Sequence, residues 1–229
     1  MSDQKDKNAP STFYVKDCAL ASIATGVKAQ TLSEFSERLK TIPAESIYYH
    51  FWRGSLESSF APGAYFNDFS LWAHYHLHDD ILAERLALLD PSEYVDLEKL
   101  RSDILEVCET RMDEEDGAAS LLRAEPIHFI RSKIVVFNTA FQLEHPRDLV
   151  KTLPHLSRSS IFYHMIDARR REPQRIDDFS VWMEGFGEEF RLLIECFRKV
   201  DPYFITLADL QKRILEDVNK FFLKGAELK

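Results

Sequence analysis

The sequence predicts an α+β protein that is predominantly helical and consists of two tandem halves related by a pseudo-twofold axis. Only 7 of its 229 residues are glycine, which favours helices over a loop-rich β-sandwich. One segment in each half has hydrophobic side chains at alternate positions, which is typical of a β-strand. A series of motifs that occurs twice predicts the two halves. Each half is expected to contain one strand followed by about five helices.

Five motifs occur twice, in the same order and at offsets between 110 and 114 residues. They are Lys40–Pro43 with Lys151–Pro154, Ser46–His50 with Ser160–His164, Asp68–Trp72 with Asp178–Trp182, Asp90–Pro91 with Asp201–Pro202, and the Leu/Ile pattern of 97–105 with that of 207–215. Because five collinear matches rarely arise by chance, gene duplication is the simplest explanation.

The repeat defines the expected domain organisation. A polar lead-in at 1–12, which lacks the apolar stretch of a signal peptide, precedes the first half at 13–112. An acidic stretch with Gly and Pro at 113–126 is the expected linker, and the second half follows at 127–225. The two halves are expected to form one compact unit.

The strand of the second half is predicted from Val135 to Leu143, and a weaker alternation runs from Ala21 to Val27 in the first half. One strand cannot satisfy its own backbone groups. We therefore prefer antiparallel pairing between the two strands, and pairing of strand edges in a homodimer is the alternative.

Several side chains are placed to begin helices. Thr31 and Glu34 form a capping box, and Pro146 suits a first helical position. The other predicted N-caps are Ser46 and Ser160, the pairs Asn67-Asp68 and Asp177-Asp178, and Asp96 and Thr206. Further helices are predicted near 80–89, 97–111, 190–199 and 207–223.

Composition excludes several function classes. A net charge of −9 argues against binding to nucleic acid or to an anionic membrane, and no apolar run approaches the length of a membrane span. The cysteines, Cys18, Cys108 and Cys196, are widely spaced and odd in number, which favours reduced thiols and a cytoplasmic location. The motifs of Rossmann and P-loop nucleotide sites are absent, and no cofactor is implied.

The two Tyr-His pairs, Tyr49-His50 and Tyr163-His164, are the first candidate site. Each histidine shares a helical face with apolar neighbours, which favours a buried histidine hydrogen-bonded to the backbone. The functional alternative places both histidines around one pocket between the halves, as ligand-binding groups or as a catalytic acid and base.

His74 and His78 have the i, i+4 spacing of two metal ligands, and Asp79 or Asp80 could complete the set. The second half has Glu184 and Glu188 at the matching positions, so an exposed polar face is the preferred interpretation and no metal is predicted.

Four arginines follow Asp167, and the first three, Arg169 to Arg171, are consecutive. Their guanidinium groups could bind the phosphate of a sugar phosphate or nucleotide sugar. Arg53 stands at a nearby position of the first half. The alternative is a solvated face whose arginines pair with carboxylates. Asp167, Arg169, Arg170 and Arg53 join the ligand-binding candidates.

Asp68 and Asp178 could be the paired carboxylates of a glycosidase, although their positions before Phe-Ser-x-Trp favour helix capping. Trp72 and Trp182 could stack on a sugar ring, and buried anchors are the preferred reading.

The motifs SIYYHFW, NDFSLW, SIFYHMIDARRR and DDFSVW resemble those of an uncharacterised prokaryotic domain family, over about 13–220. The resemblance implies genes beside, or fused to, glycosyltransferases, and it supplies no catalytic residues. We therefore expect a cytoplasmic accessory or ligand-binding protein of carbohydrate pathways. An enzyme that uses His50 and His164 on a phosphorylated or glycosylated compound, and an interaction module for a glycosyltransferase, are the alternatives; the sequence does not decide whether the protein is an enzyme.

Overall fold

The computed structural model describes residues 11–56, 65–94, 96–114 and 123–227. Most of the expected lead-in, and residues 115–122 of the expected linker, lie outside the described residues. Within them the α+β class and the predominance of helix are confirmed. The elements of the first part are β1 (Phe13–Ala29), α1 (Leu32–Leu39), α2 (Ala44–Leu56), α3 (Asp68–Trp72) with a π-helical turn (Ala73–Leu77), α4 (Asp80–Ala87) and α5 (Leu97–Glu114).

The second part begins with β2 (Ile127–Leu143) and contains several short helical segments. They are a 3₁₀ turn (Pro146–Asp148), α6 (Leu149–Thr152), a 3₁₀ turn (Leu153–His155), α7 (Arg158–Ile161), a π-helical turn (Phe162–Asp167), α8 (Ala168–Arg171), α9 (Asp178–Glu184), a 3₁₀ turn (Glu188–Phe190), α10 (Arg191–Arg198) and α11 (Leu207–Glu227).

The two strands pair with each other in a two-stranded sheet. The Thr139 hydroxyl donates to the Val15 carbonyl, and the Lys16 ammonium donates to Asn138. Successive positions of β1 therefore meet descending positions of β2, which is the antiparallel arrangement. Both strands are longer than the alternating pattern predicted. The pattern missed the outer ends because side chains there are buried at irregular intervals, as Val15 and Cys18 are in β1.

The chain divides into two compact units that do not follow the sequence halves. The middle unit consists of residues 20–135. The terminal unit consists, within the described residues, of 11–19 and 136–227. Each unit thus contains a stretch of β1 and a stretch of β2. The middle unit also contains the helices between the two strands in the sequence, and the terminal unit contains the helices that follow β2.

The core of the middle unit is aromatic. The Phe35 ring stacks on Trp72 and on Phe129, with centroid distances of 5.3 and 5.6 Å, and packs edge-on against Phe69. These contacts bring α1, α3 and β2 together around fully buried side chains. Arg101 of α5 donates to the carbonyl of Leu39, which satisfies a carbonyl at the end of α1.

The core of the terminal unit forms in a similar way around α9, α10 and α11. Phe13 of β1 contacts Phe179 and Trp182 at centroid distances of 5.1 and 5.3 Å. The Gln211 amide of α11 donates to the carbonyls of Leu153 and Leu156, at the end of the adjoining 3₁₀ turn. Helices too short to be stable alone are thereby held by packing and by side-chain hydrogen bonds.

Most predicted helix starts are confirmed. The side chains of Thr31, Asn67, Asp177, Asp96 and Thr206 each accept the backbone N–H three residues later. Pro146 occupies a first-turn position.

The prediction that Ser46 and Ser160 cap helices is wrong. Both residues are buried inside their helices, since α2 begins at Ala44 and α7 is capped by Ser157. The Ser46 N–H already bonds the carbonyl of Pro43, and the Ser160 N–H bonds the Ser157 hydroxyl.

Candidate functional site

His50 lies on α2 in the middle unit and is 3% exposed. Its Nδ1 is 2.8 Å from Oδ2 of Asp68, and its Nε2 accepts the backbone N–H of Ile130 at 3.1 Å. Because a backbone N–H can only donate, Nε2 must be the unprotonated nitrogen. The proton therefore sits on Nδ1 and is donated to Asp68, so both ring nitrogens are engaged within the protein.

His164 makes the same two contacts in the terminal unit. Nε2 accepts the backbone N–H of Lys16 at 2.8 Å, and Nδ1 lies 2.7 Å from Oδ2 of Asp178. The ring is buried and packs against Phe13 and Phe179. Each histidine thus links a helix to a strand, which agrees with the favoured interpretation of a buried histidine hydrogen-bonded to the backbone. His50 and His164 belong to different units, and each has its own set of partners.

The neighbouring tyrosines differ. Tyr49 is buried, and its hydroxyl accepts a hydrogen bond from Ser22 at 3.3 Å. Tyr163 is half-buried, and the guanidinium of Arg171 lies 4.1 Å from its ring centroid. Burial raises the pKa of Tyr163, and the positive charge of Arg171 offsets part of that effect. Tyr163 therefore belongs to a charged cluster, whereas Tyr49 belongs to the core.

The expectation that Asp68 and Asp178 cap helices is wrong, because the preceding residues, Asn67 and Asp177, are the caps. Asp68 and Asp178 lie one position into their helices, and the carboxylate of each instead accepts a hydrogen bond from Nδ1 of a histidine. Asp178 also accepts a hydrogen bond from Arg171 at 2.9 Å, and Arg53 lies 3.6 Å from Asp68.

The arginines after Asp167 are engaged with protein groups. Arg171 donates to Asp167, to Asp178 and to the carbonyl of Tyr163. Arg170 donates to Asp167, and Arg169 donates to the carbonyl of Val200. Asp167 is 1% exposed, so its charge needs these partners. The geometry matches the expectation of pairing with carboxylates more closely than a phosphate clamp.

The possible metal ligands lie on a broken helix. Residues 73–77 form a π-helical turn, and His78 has the left-handed φ of 56°. The predicted α-helical face shared by His74 and His78 is therefore wrong. Asp79 caps α4 and pairs with Arg111, and His74 bonds Asp80. Among the described residues, no group of three His, Cys, Asp or Glu side chains could hold a metal ion.

A cleft of about 380 Å³ lies in the terminal unit, beside Asp178. It is lined by Ser11, Thr12, Phe13, Tyr14, Asp178, Val181, Trp182 and Gly185. Tyr14 is 55% exposed, whereas Trp182 is held in place because its indole N–H donates to the carbonyl of Ser11 at 2.8 Å. Trp72, at the matching position, donates to the carbonyl of Glu125 and is buried.

No pattern in the sequence predicts this cleft. Asp178 and Trp182 were named through their repeated motif, but nothing in the sequence marked Thr12 or Tyr14. None of the ligand-binding candidates, from Tyr49 to Arg170, lines the cleft; His164 and Arg171 reach it only through Asp178.

Among the described residues, one oxygen of Asp178 accepts both of the side-chain hydrogen bonds that its carboxylate receives. Oδ2 accepts from both His164 and Arg171. In the part of the chain that the structure describes, no protein group donates to Oδ1. A carboxylate fixed by two donors and bordered by aromatic rings is able to accept a hydrogen bond from a ligand.

No helix among the described residues has both the length and the apolar composition needed to cross a membrane. A comparison with curated proteins gave no match. Among solved structures, that of OrfY from Thermoproteus tenax is similar, with a TM-score of 0.78 and 23% sequence identity over 93% of this chain and 96% of that chain. This similarity shows a shared fold. The model of DUF5752, a family of unknown function, matches residues 10–219, so the chain belongs to this family.

Proposed function

We propose that this chain is a small-ligand-binding protein and that the cleft beside Asp178 is its binding site. The proposed ligand is a hydroxylated compound, such as a sugar. The observation that carries the proposal is the position of one pre-positioned carboxylate in a cleft with three aromatic residues. Cofactor and ligand pockets typically combine apolar walls with a few fixed polar groups.

The aromatic residues supply the apolar part of the site. Phe13, Tyr14 and Trp182 present ring surface to the cleft, and Trp182 is fixed by its bond to Ser11. The face of a sugar ring is apolar enough to pack on such surfaces, while its hydroxyl groups can donate to a carboxylate.

Asp178 is pre-organised for this task. His164 and Arg171 approach its Oδ2 at 2.7 and 2.9 Å and restrict rotation of the carboxylate. A ligand that meets an already ordered acceptor avoids the entropy cost of ordering it. The histidine that the sequence placed in the pocket would thus act behind the site, as a positioning residue.

An enzyme that uses His50 and His164 as acid and base receives less support from this geometry. Both nitrogens of each ring bond to protein groups, so neither can exchange a proton with a substrate without losing a contact that joins a helix to a strand.

Two further parts of the proposal concern origin and setting. Duplication of an ancestral half is supported by the paired contacts, since His50 and His164 each bond an aspartate of their own half and a strand residue of the other half. A cytoplasmic accessory role in carbohydrate pathways is suggested by the resemblance of the motifs and agrees with a sugar ligand.

A second candidate function is an interaction module that docks a glycosyltransferase or forms a homodimer. It is favoured by the exposure of Val136 and Phe137 on β2, at 42% and 48%. Replacement of both by serine should then abolish co-purification with an enzyme encoded beside it, or convert a dimer to a monomer. If neither association exists in the unmodified protein, this candidate is discarded.

The ligand-binding proposal is tested by titrating the protein with neutral hexoses and disaccharides while its tryptophan fluorescence and heat of binding are recorded. We expect binding that raises the melting temperature and weakens at least about tenfold in Tyr14→Ser, because one hydrophobic anchor contributes this much. Tyr75→Ser is the matched control, since Tyr75 is exposed to a similar extent, 62% against 55% for Tyr14, but lies in the middle unit. Equal affinity in the two variants would place the ligand elsewhere.

A further inference from the structure

We infer that Asp178 makes the cleft select uncharged hydroxylated ligands and reject their phosphorylated forms. This inference rests on the proposed function and names the charge class of its ligand. It departs from the sugar phosphates and nucleotide sugars that the run of arginines suggested.

Among the described residues, the charged groups at the cleft have one sign. The described lining contains the carboxylate of Asp178 and no lysine, arginine or histidine side chain. A second carboxylate stands at the rim, because the Thr12 hydroxyl, which lines the cleft, lies 3.0 Å from both oxygens of Glu144. A phosphate placed in the cleft would meet two negative charges at close range.

The nearest guanidinium does not reverse this balance. Arg171 directs Nη2 to Asp178 and Nε to Asp167, so its positive charge is shared by two carboxylates. Burial works against this charge, but the two carboxylates outweigh it and raise the pKa of Arg171. To bind a phosphate instead, Arg171 would have to give up its hydrogen bond to the carboxylate of Asp167, which is 1% exposed.

The direction of hydrogen bonding agrees with the charge. An ionised carboxylate accepts and cannot donate. A sugar hydroxyl can donate to Oδ1 of Asp178, whereas the phosphate group that replaces one hydroxyl in a sugar phosphate offers, as a dianion, only acceptor oxygens at that position. Charge and hydrogen bonding therefore discriminate against the same ligands.

The test compares neutral hexoses with their own phosphates. Glucose, galactose and mannose, and the 6-phosphate of each, are titrated into the full-length protein at low and high ionic strength. We expect the neutral member of the bound pair to have a Kd at least about tenfold lower than its phosphate. The ratio should shrink as salt screens the carboxylates.

Two variants assign the selection to the carboxylates. Asp178→Asn removes the charge in the lining, and Glu144→Gln removes the charge at the rim from an exposed position where folding is not at risk. Each substitution should reduce the ratio between the Kd of the sugar phosphate and the Kd of the neutral sugar by several-fold. Asp68→Asn, at the matching position of the middle unit, and Glu216→Gln, on α11, should leave it unchanged.

Each outcome has a distinct meaning. If the phosphates bind as tightly as the neutral sugars, the inference is overturned while the proposed binding site stands. If the ratio is large in the unmodified protein and Asp178→Asn leaves it unchanged, Asp178 is not its cause and the inference is also overturned. If no sugar or sugar phosphate binds, the proposed ligand class is wrong, and the inference that depends on it is overturned as well.

Discussion

The backbone N–H of Lys16 donates to Nε2 of His164 over a distance of 2.8 Å and a sequence separation of 148 residues. His50 and Ile130 make the same contact at 3.1 Å. In both cases the histidine is fixed from the other side by an aspartate one residue after the N-cap of a helix. The repeated Tyr-His motif therefore preserves a buried contact between helix and strand.

Loss of His164 should destabilise the protein. In His164→Ala the N–H of Lys16 and the carboxylate of Asp178 each lose one hydrogen-bond partner in a partly buried setting, and loss of such a partner costs about 1–3 kcal/mol. We expect a decrease of this size in the free energy of unfolding, measured with urea. His155→Ala, on an exposed 3₁₀ turn, should change it by less than about 0.5 kcal/mol. Equal effects of the two changes would argue against a stabilising role of the two His164 hydrogen bonds.

Arg171 and Arg170 should respond differently to replacement by lysine. Arg171 joins Asp167, Asp178 and the Tyr163 carbonyl, and one ammonium group cannot reproduce this fork. Because Arg171 is partly exposed, we expect Arg171→Lys to lower the free energy of unfolding by about 1 kcal/mol.

Arg170, whose side chain is 50% exposed, is the matched control for Arg171. Arg170→Lys should leave the urea midpoint within error of the unmodified protein. A larger loss at Arg170 than at Arg171 would contradict the role given to the cluster.

Asp177 and Asn67 occupy the same cap position in the two units, and only Asp177 can carry a charge. Complete burial raises the pKa of Asp177 in the folded protein, and its hydrogen bonds with Ser180 offset part of this. The contribution of the Asp177 carboxyl group to the free energy of unfolding is thus fully present below its pKa in the unfolded chain. It is lost as the pH rises through the raised pKa of the folded protein.

Asp177→Asn should therefore be more stable than the unmodified protein at neutral pH, and this difference should be smaller in acid. The variant keeps an oxygen that can accept the Ser180 N–H. Its advantage in melting temperature should decrease as the pH is lowered through the raised pKa. An advantage that grows toward low pH would show that Asp177 is instead stabilised as a charged group.

The three cysteines should differ in reactivity. Cys18 and Cys108 are buried, and burial raises the pKa of both thiols, that of Cys18 to about 12, whereas Cys196 is exposed. Since the thiolate is the reactive form, a disulfide reagent at pH 8 should modify one thiol quickly in the native protein and three in guanidinium. Cys196→Ser should remove the fast phase, and a fast phase that persists would show that Cys18 or Cys108 is accessible.

Local signals in the sequence were sufficient for the class of the fold and for most helix starts. Thr31, Asn67 and Thr206 cap helices through bonds to groups three residues away, and such bonds can be read from neighbouring residues. The same locality explains the errors at Ser46 and Ser160, because an earlier residue had already begun each helix.

The candidate site depended on contacts that no local pattern encodes. The sequence named His164, Asp178 and Trp182, but assigned the first to a pocket and the second to a cap. The residues that complete the arrangement, Lys16 of β1 and Ser11 just before β1, lie more than a hundred positions away and take part through backbone groups.

The sequence by itself therefore determined the helical character, the repeated motifs and the excess of negative charge, since these depend on composition and on near neighbours. Only the tertiary structure decided that the histidines face backbone N–H groups, that Arg171 is shared by Asp167 and Asp178, and that a cleft opens beside Asp178. The physical reason is that burial and hydrogen-bond partners are set when distant segments pack, and packing fixes which of several chemically possible partners a side chain meets.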